Sequence, residues 1–145
     1  KSTVFHQKNL RFSTAACTTC HRIGDTGGVV GPDLTAIGTT LSGARIVEEI
    51  LWPNRQVKEG YTLLQVLTNE GVLHQGYERR TKESQVSGDL VMRELASARF
   101  TTIKKEQIDL KQSVGSSMPT GLTALLTRPQ MVDLIRYVSD LGKNK

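Results

Sequence analysis

The 145-residue chain has few cysteines, prolines and aromatic residues: two cysteines, four prolines and 5% aromatics. Two cysteines exclude a scaffold held together by several disulfides. The sequence has no apolar run of about 18 residues, so we expect no membrane span. The net charge of +5 comes from scattered lysines and arginines without a basic, aromatic-rich run, so we expect no nucleic-acid binding. With 37% hydrophobic residues, the chain is long enough for one domain with a core.

Both cysteines belong to one continuous motif with a histidine, Cys17-Thr18-Thr19-Cys20-His21. This C-x-x-C-H spacing is the attachment signature of c-type haem. Each thiol can bond to one haem vinyl group, and the imidazole that follows is then placed as an axial ligand of the iron. We therefore predict one covalent haem c, attached through Cys17 and Cys20 and ligated by His21. Because such haem is normally attached outside the cytoplasm, we expect a periplasmic or otherwise extracytoplasmic protein.

Other roles for these residues find less support. A thioredoxin-type C-x-x-C requires a βαβ context, but residues 3–16 are not strand-like and no βαβ unit follows. A structural zinc site requires a second ligand pair, but there is no further cysteine, and His6 and His74 are isolated. A disulfide between the two cysteines would close a very tight loop and leave the adjacent histidine unexplained.

Helix signals lie near both ends of the chain. Residues 3–16 predict a short helix before the motif. Ser42 is a typical N-cap of a second helix, which ends at Trp52, the residue before a proline. Thr127 and Gln130 form a capping box at the start of a final helix. The apolar positions of this final helix recur at helical spacing: Met131, Leu134, Ile135, Val138 and Leu141.

The segment between the motif and Ser42 is rich in glycine, from Gly24 to Gly38. It lacks the lysine and the strand-to-helix context of a phosphate-binding P-loop. Glycine allows the backbone to approach another group closely. We therefore expect this segment to run close against a flat ligand.

The periodicity becomes that of β-strands between residues 61 and 112. Two runs of strand-forming residues flank Asn69-Glu70-Gly71, a typical hairpin turn. The predicted strands are 61–68, 72–79, 89–95, 100–104 and 109–114. We therefore predict a mainly α domain spanning residues 1–145, with a helical haem-binding core of residues 1–60 and 113–145. Residues 61–112 would be a small antiparallel β insertion of SH3-like size.

The second axial ligand of the iron determines the chemistry, and the candidates are His6, His74, Met92, Met118 and Met131. Met131 lies on the apolar stripe of the final helix, and Met92 lies in a predicted strand, so we expect both in packing roles. We expect His74 in a cross-strand or solvent position and His6 at the surface. Met118 differs because it lies in a glycine- and serine-rich loop and is followed by proline. We predict Met118 as the ligand opposite His21, an arrangement typical of electron-transfer haems.

These motifs together resemble class I cytochromes c. More closely, they resemble the haem-binding domains at the C-terminal ends of large planctomycete and verrucomicrobial proteins. The matching stretches are Cys17–His21, Gly27–Gly38, Ile50–Tyr61, Ser116–Leu126 and Asp133–Leu141. The resemblance implies the class I helical fold, a hydrogen bond from His21 to the Pro32 carbonyl, and a packing role for Tyr137. It also places Trp52 and Tyr61 near the haem or its propionates, with core packing as the alternative.

The function that follows from this interpretation is one-electron transfer by a carrier domain that is not itself an enzyme. No pair of acid and base residues and no nucleophile beside a base stands out in the sequence. The expected partner is a redox protein or a fused dehydrogenase-like domain, and we expect the chain to be monomeric. The alternative is a haem enzyme or gas sensor in which the distal ligand is displaceable.

Overall fold

The computed structural model describes residues 17–143. The helix predicted at residues 3–16, with His6, lies outside the described residues. The chain divides into two compact units. Residues 57–117 form the sheet unit, and the described residues 17–56 and 118–143 form the helical unit. The predicted insertion, 61–112, differs from the sheet unit by a few residues at each end.

The helical unit begins with a short helical segment at residues 17–20, and the regular elements of both units follow in chain order. They are β1 (Arg22–Ile23), β2 (Thr26–Gly27), α1 (Ile37–Thr40), α2 (Gly43–Leu51), β3 (Thr62–Thr68), β4 (Leu73–Glu78), α3 (Lys82–Ser87), β5 (Leu90–Glu94), β6 (Phe100–Ile103), a 3-10 turn (Lys105–Gln107), β7 (Ile108–Ser116) and α4 (Arg128–Asp140). Among these described residues, no helix has the length and apolar character needed to cross a membrane.

The helices α2 and α4 begin where their capping residues predict. The Ser42 hydroxyl accepts a hydrogen bond from the Arg45 amide at the start of α2. Thr127 and Gln130 form the reciprocal capping box of α4. These bonds satisfy amides that have no partner within the helix. The two helices and α1 pack around a small core whose buried side chains are Ile46, Leu134 and Val138.

The sheet unit is a five-stranded antiparallel sheet in the order β6-β5-β4-β3-β7. The five predicted strands are confirmed, and Gly71 adopts a φ of 79° in the hairpin turn between β3 and β4. The short helix α3 was not predicted; it starts with a capping box between Thr81 and Ser84. One face of the sheet carries the core, which consists of Leu64, Val66, Leu90, Met92 and Ile103.

The prediction of a mainly α fold of the class I cytochrome c type is wrong. The structure is an α+β fold with a five-stranded antiparallel sheet, and only 31% of the described residues are helical. Two segments that were assigned to a helical core are largely irregular, residues 28–36 and 117–127. Both contain glycine and proline, which disfavour helix interiors. In addition, β7 extends to Ser116, beyond the predicted end of the insertion.

Candidate cofactor site around Cys17, Cys20 and His21

The motif residues Cys17 to Cys20 form one helical turn, and His21 follows directly. The His21 amide donates to the Cys17 carbonyl at 2.8 Å, which continues the helical hydrogen bonding by one residue. Both cysteines are free and half-buried. The sequence thus places two unpaired thiols and one imidazole within a single turn of backbone.

The imidazole of His21 is held in one tautomer. Its Nδ1 lies 2.7 Å from the carbonyl oxygen of Pro32. A carbonyl oxygen can only accept, so Nδ1 carries the proton and donates it. The Nε2 lone pair is then available for a metal, and the hydrogen bond fixes the orientation of the ring.

The glycine-rich segment packs against the motif itself. A Cβ at Gly31 would lie 2.6 Å from the Nδ1 of His21, and a Cβ at Gly28 would overlap the Thr19 carbonyl. At Gly27, where φ is 108°, a Cβ would overlap the His21 carbonyl. These glycines therefore allow the segment to approach the motif's own backbone and imidazole, whereas the expected approach to a flat ligand stays a prediction.

Backbone hydrogen bonds attach this segment to the motif at two points and to Arg22, the residue after the motif, at a third. The amide of Gly28 donates to the Thr18 carbonyl at 2.8 Å, and the amide of Gly31 donates to the Cys20 carbonyl at 2.7 Å. The amide of Leu34 donates to the carbonyl of Arg22 at 2.9 Å. Pro32 lies between the last two points, so its carbonyl is presented to His21 from a segment fixed on both sides.

The electrostatics of the motif differ from those of a reactive cysteine pair. Burial raises the pKa of the Cys17 thiol, and the neighbouring Cys20 raises it further. Thioredoxin-type sites lower the pKa of their attacking cysteine to make a thiolate. The described strands also form only antiparallel pairs, so they provide no βαβ context. Both observations weigh against a thiol–disulfide exchange site.

A structural zinc site also lacks donors in the part of the chain that the structure describes. Within residues 17–143 no group of three or more histidine, cysteine, aspartate or glutamate side chains lies close enough to hold a metal ion. The motif itself offers two thiols and one imidazole, the groups that the C-x-x-C-H attachment of a haem would use.

The two aromatic residues that the resemblance placed near a haem lie in different units. Trp52 caps the end of α2, and its side chain is 53% exposed. Tyr61 belongs to the sheet unit, where its ring centroid lies 5.4 Å from that of Tyr77. The guanidinium of Arg93 and the ammonium of Lys58 each lie 5.9 Å from the Tyr61 ring.

The described candidates for a second axial ligand lie in different environments. Met92 is 0% exposed in the sheet core, and Met131 packs against the core of the helical unit, so both predicted packing roles are confirmed. The Nδ1 of His74 lies 2.7 Å from the Glu94 carboxylate on the neighbouring strand, which is the expected cross-strand position. Met118 is half-buried in the bend after β7, within an irregular segment.

Two features near this bend were not found from the sequence. The hydroxyls of Tyr77 and Ser117 form a hydrogen bond, and Ser117 directly precedes Met118. The aromatic pair of Tyr77 and Tyr61 is flanked by Arg93. The only sequence signal was the position of Tyr77 in a predicted strand, because pairing across some forty residues cannot be read from periodicity.

A comparison of the chain with models of protein families finds no match, and a search of curated proteins finds none either. The resemblance to cytochrome c domains therefore stays a prediction based on the motifs.

The described residues fit a covalently attached haem. The two thiols and the imidazole have the required chemistry, and the imidazole is already oriented by Pro32. The helical unit also has few buried apolar side chains, while several large ones are exposed: Val29, Trp52, Leu122, Leu125 and Val132. A flat apolar group that covered some of them would enlarge the core.

Proposed function

We propose that this chain carries one c-type haem and transfers single electrons outside the cytoplasm. Cys17 and Cys20 would hold the haem by thioether bonds, and the Nε2 of His21 would bind its iron. The observation that carries the proposal is the hydrogen bond of 2.7 Å from Nδ1 of His21 to Pro32, in a histidine directly after C-x-x-C. This bond leaves the other nitrogen ready for a metal.

The second ligand in this proposal is Met118. Of the other described candidates, Met92 is buried in the sheet core and Met131 packs against the core of the helical unit, and His74 is bonded to Glu94. When bound, the haem supplies a reversible one-electron couple, and a methionine ligand favours its reduced state. The protein's part is to fix the ligands, to bury the macrocycle and to present an edge to a partner. The net charge of +5 suits an acidic redox partner or a fused dehydrogenase-like domain.

The first test is the mass and spectrum of protein made in a host that attaches c-type haem. Addition of a thiol to a vinyl group loses no atoms, so the denatured protein should weigh as much as chain plus one haem, with no titratable thiol. Replacement of both Cys17 and Cys20 by serine should abolish attachment. Colourless protein with two free thiols would refute the proposal.

The second test compares three sulfur deletions that nearly conserve volume: Met118→Leu, Met92→Leu and Met131→Leu. We expect only Met118→Leu to abolish the sulfur-to-iron charge-transfer band and to lower the midpoint potential. The other two variants are matched controls for the loss of a methionine. If the band survives in Met118→Leu, another residue is the ligand. High-spin ferric iron or rapid carbon monoxide binding in the parent would instead indicate a haem enzyme or gas sensor.

A further inference from the structure

The end of β7 has an irregular shape. Leu63 pairs with Gly115 and Leu64 pairs with Ser113, so Val114 has no opposite residue and forms a bulge. Gly115 follows with a φ of 89°, a conformation that glycine adopts without strain. A bulge bends its strand and redirects the residues after it. Here the redirected residues lead to Met118.

The strand end after this bulge is held by two contacts. Ser116 pairs with Thr62 in the ladder, and the next hydroxyl, that of Ser117, is hydrogen-bonded to the hydroxyl of Tyr77. Tyr77 is only 3% exposed. A buried hydroxyl that loses its partner is costly, so this bond resists opening.

The ring of Tyr77 is itself fixed in place. Its centroid lies 5.4 Å from the Tyr61 ring at an interplanar angle of 58°. The Arg93 guanidinium, which faces Tyr77 across the β4–β5 ladder, lies 5.4 Å from the Tyr77 centroid. Such aromatic and cation–π contacts restrict a ring. The direction of the hydroxyl toward Ser117 is therefore set by the sheet.

We propose that Tyr77 is a positioning residue for the iron ligand: through Ser117 it fixes the chain directly before Met118 and so keeps the thioether available to the iron. This inference rests on the proposed function, because it requires Met118 to be the ligand. Tyr77 and Ser117, which hold the chain before Met118, both belong to the sheet unit.

The test is a titration of the ferric protein with imidazole, which competes with the Met118 sulfur for iron. The apparent affinity of imidazole rises with the fraction of molecules in which the sulfur is detached. Tyr77→Phe and Ser117→Ala each remove one hydroxyl of the pair. We expect each variant to bind imidazole about two- to tenfold more tightly than the parent, as the loss of one hydrogen bond predicts. The double variant should bind no more tightly than either single variant.

The matched control is Ser113→Ala, which removes an exposed hydroxyl from the same strand four residues earlier. Its imidazole affinity should equal that of the parent. Unchanged affinity in both Tyr77→Phe and Ser117→Ala, or purely additive effects in the double variant, would overturn the inference. Far-UV circular dichroism shows whether each variant keeps the sheet. If Tyr77→Phe folds poorly, the imidazole affinity of Ser117→Ala alone tests the inference.

Failure of the proposed function gives a different result. If Met118→Leu keeps the charge-transfer band, Met118 is not the ligand, and both proposals fall together. If Met118→Leu loses the band while the hydroxyl variants bind imidazole like the parent, only the role of Tyr77 is wrong.

Discussion

The two units of the protein use their residues for different purposes. The sheet unit buries five apolar side chains on one face of a continuous antiparallel ladder. Among the described residues, the helical unit buries three, while its segment from Gly27 to Leu34 is bonded to the C-x-x-C-H motif. A packed sheet can be stable from its own side chains, and a bound apolar group would add to the smaller core of the described part of the helical unit.

The largest effect that would test this contrast comes from Met92→Ala. Met92 is 0% exposed in the sheet core, and truncation of such a methionine costs about 2–5 kcal/mol of unfolding free energy. Amide exchange in β3, β4 and β5 should accelerate accordingly, while α2 and α4 keep their protection. The control Leu110→Ala, at a residue 51% exposed, should change stability by about 0.5 kcal/mol or less. If α2 and α4 lose protection together with the sheet, the two units unfold as one.

A smaller effect, in the helical unit, distinguishes a glycine that the site needs from one that it does not. In Gly31→Ala the new methyl group would overlap the His21 ring, and overpacking of this kind costs about 1–3 kcal/mol. The expected result is a lower unfolding free energy and, if the chain carries the proposed haem, a haem spectrum that shows weaker binding of the iron by His21.

The matched control for this change is Gly43→Ala in the first turn of α2. There a Cβ meets only Ser139 Oγ at 3.6 Å, an ordinary contact. Alanine is the better helix former and restricts the unfolded chain, so this variant should be more stable by about 0.4–1 kcal/mol. If the two substitutions changed the unfolding free energy similarly, the close contact of Gly31 with His21 would not be important for stability.

The sequence was most informative where local chemistry decides the structure. Ser42, Thr127 and the 69–71 turn each form hydrogen bonds or dihedral angles within a few residues, and the elements beside them begin or end as predicted. Runs of strand-forming residues likewise predicted all five strands of the sheet unit. The C-x-x-C-H spacing identified the candidate site because each of its residue types has a chemical role.

The sequence was misleading where long-range contacts decide. The fold class was wrong because the five-stranded sheet was treated as an insertion into a helical domain, whereas it is a main part of an α+β fold. The bond between Tyr77 and Ser117 joins residues forty positions apart. Such a pair depends on strand order, and the order β6-β5-β4-β3-β7 places β7 beside β3 through a connection that periodicity does not specify.

The smallest expected effect is in acid, and Asp33 in the helical unit and Asp89 in the sheet unit are among the carboxylates whose pKa the folded structure lowers. Hydrogen bonds from Thr35 hold the pKa of Asp33 below its usual value, and the Lys104 ammonium, 2.8 Å away, does the same for the pKa of Asp89. A lowered pKa in the folded state stabilises the protein above the unfolded pKa of about 3.9, and this contribution disappears as the pH falls through the folded value. Asp89→Asn should therefore flatten the acid dependence of amide exchange in β5 and β6 alone, and Asp33→Asn should do so only in the helical unit. If amide exchange in both units responded identically to either variant, the two structural units would unfold together rather than separately.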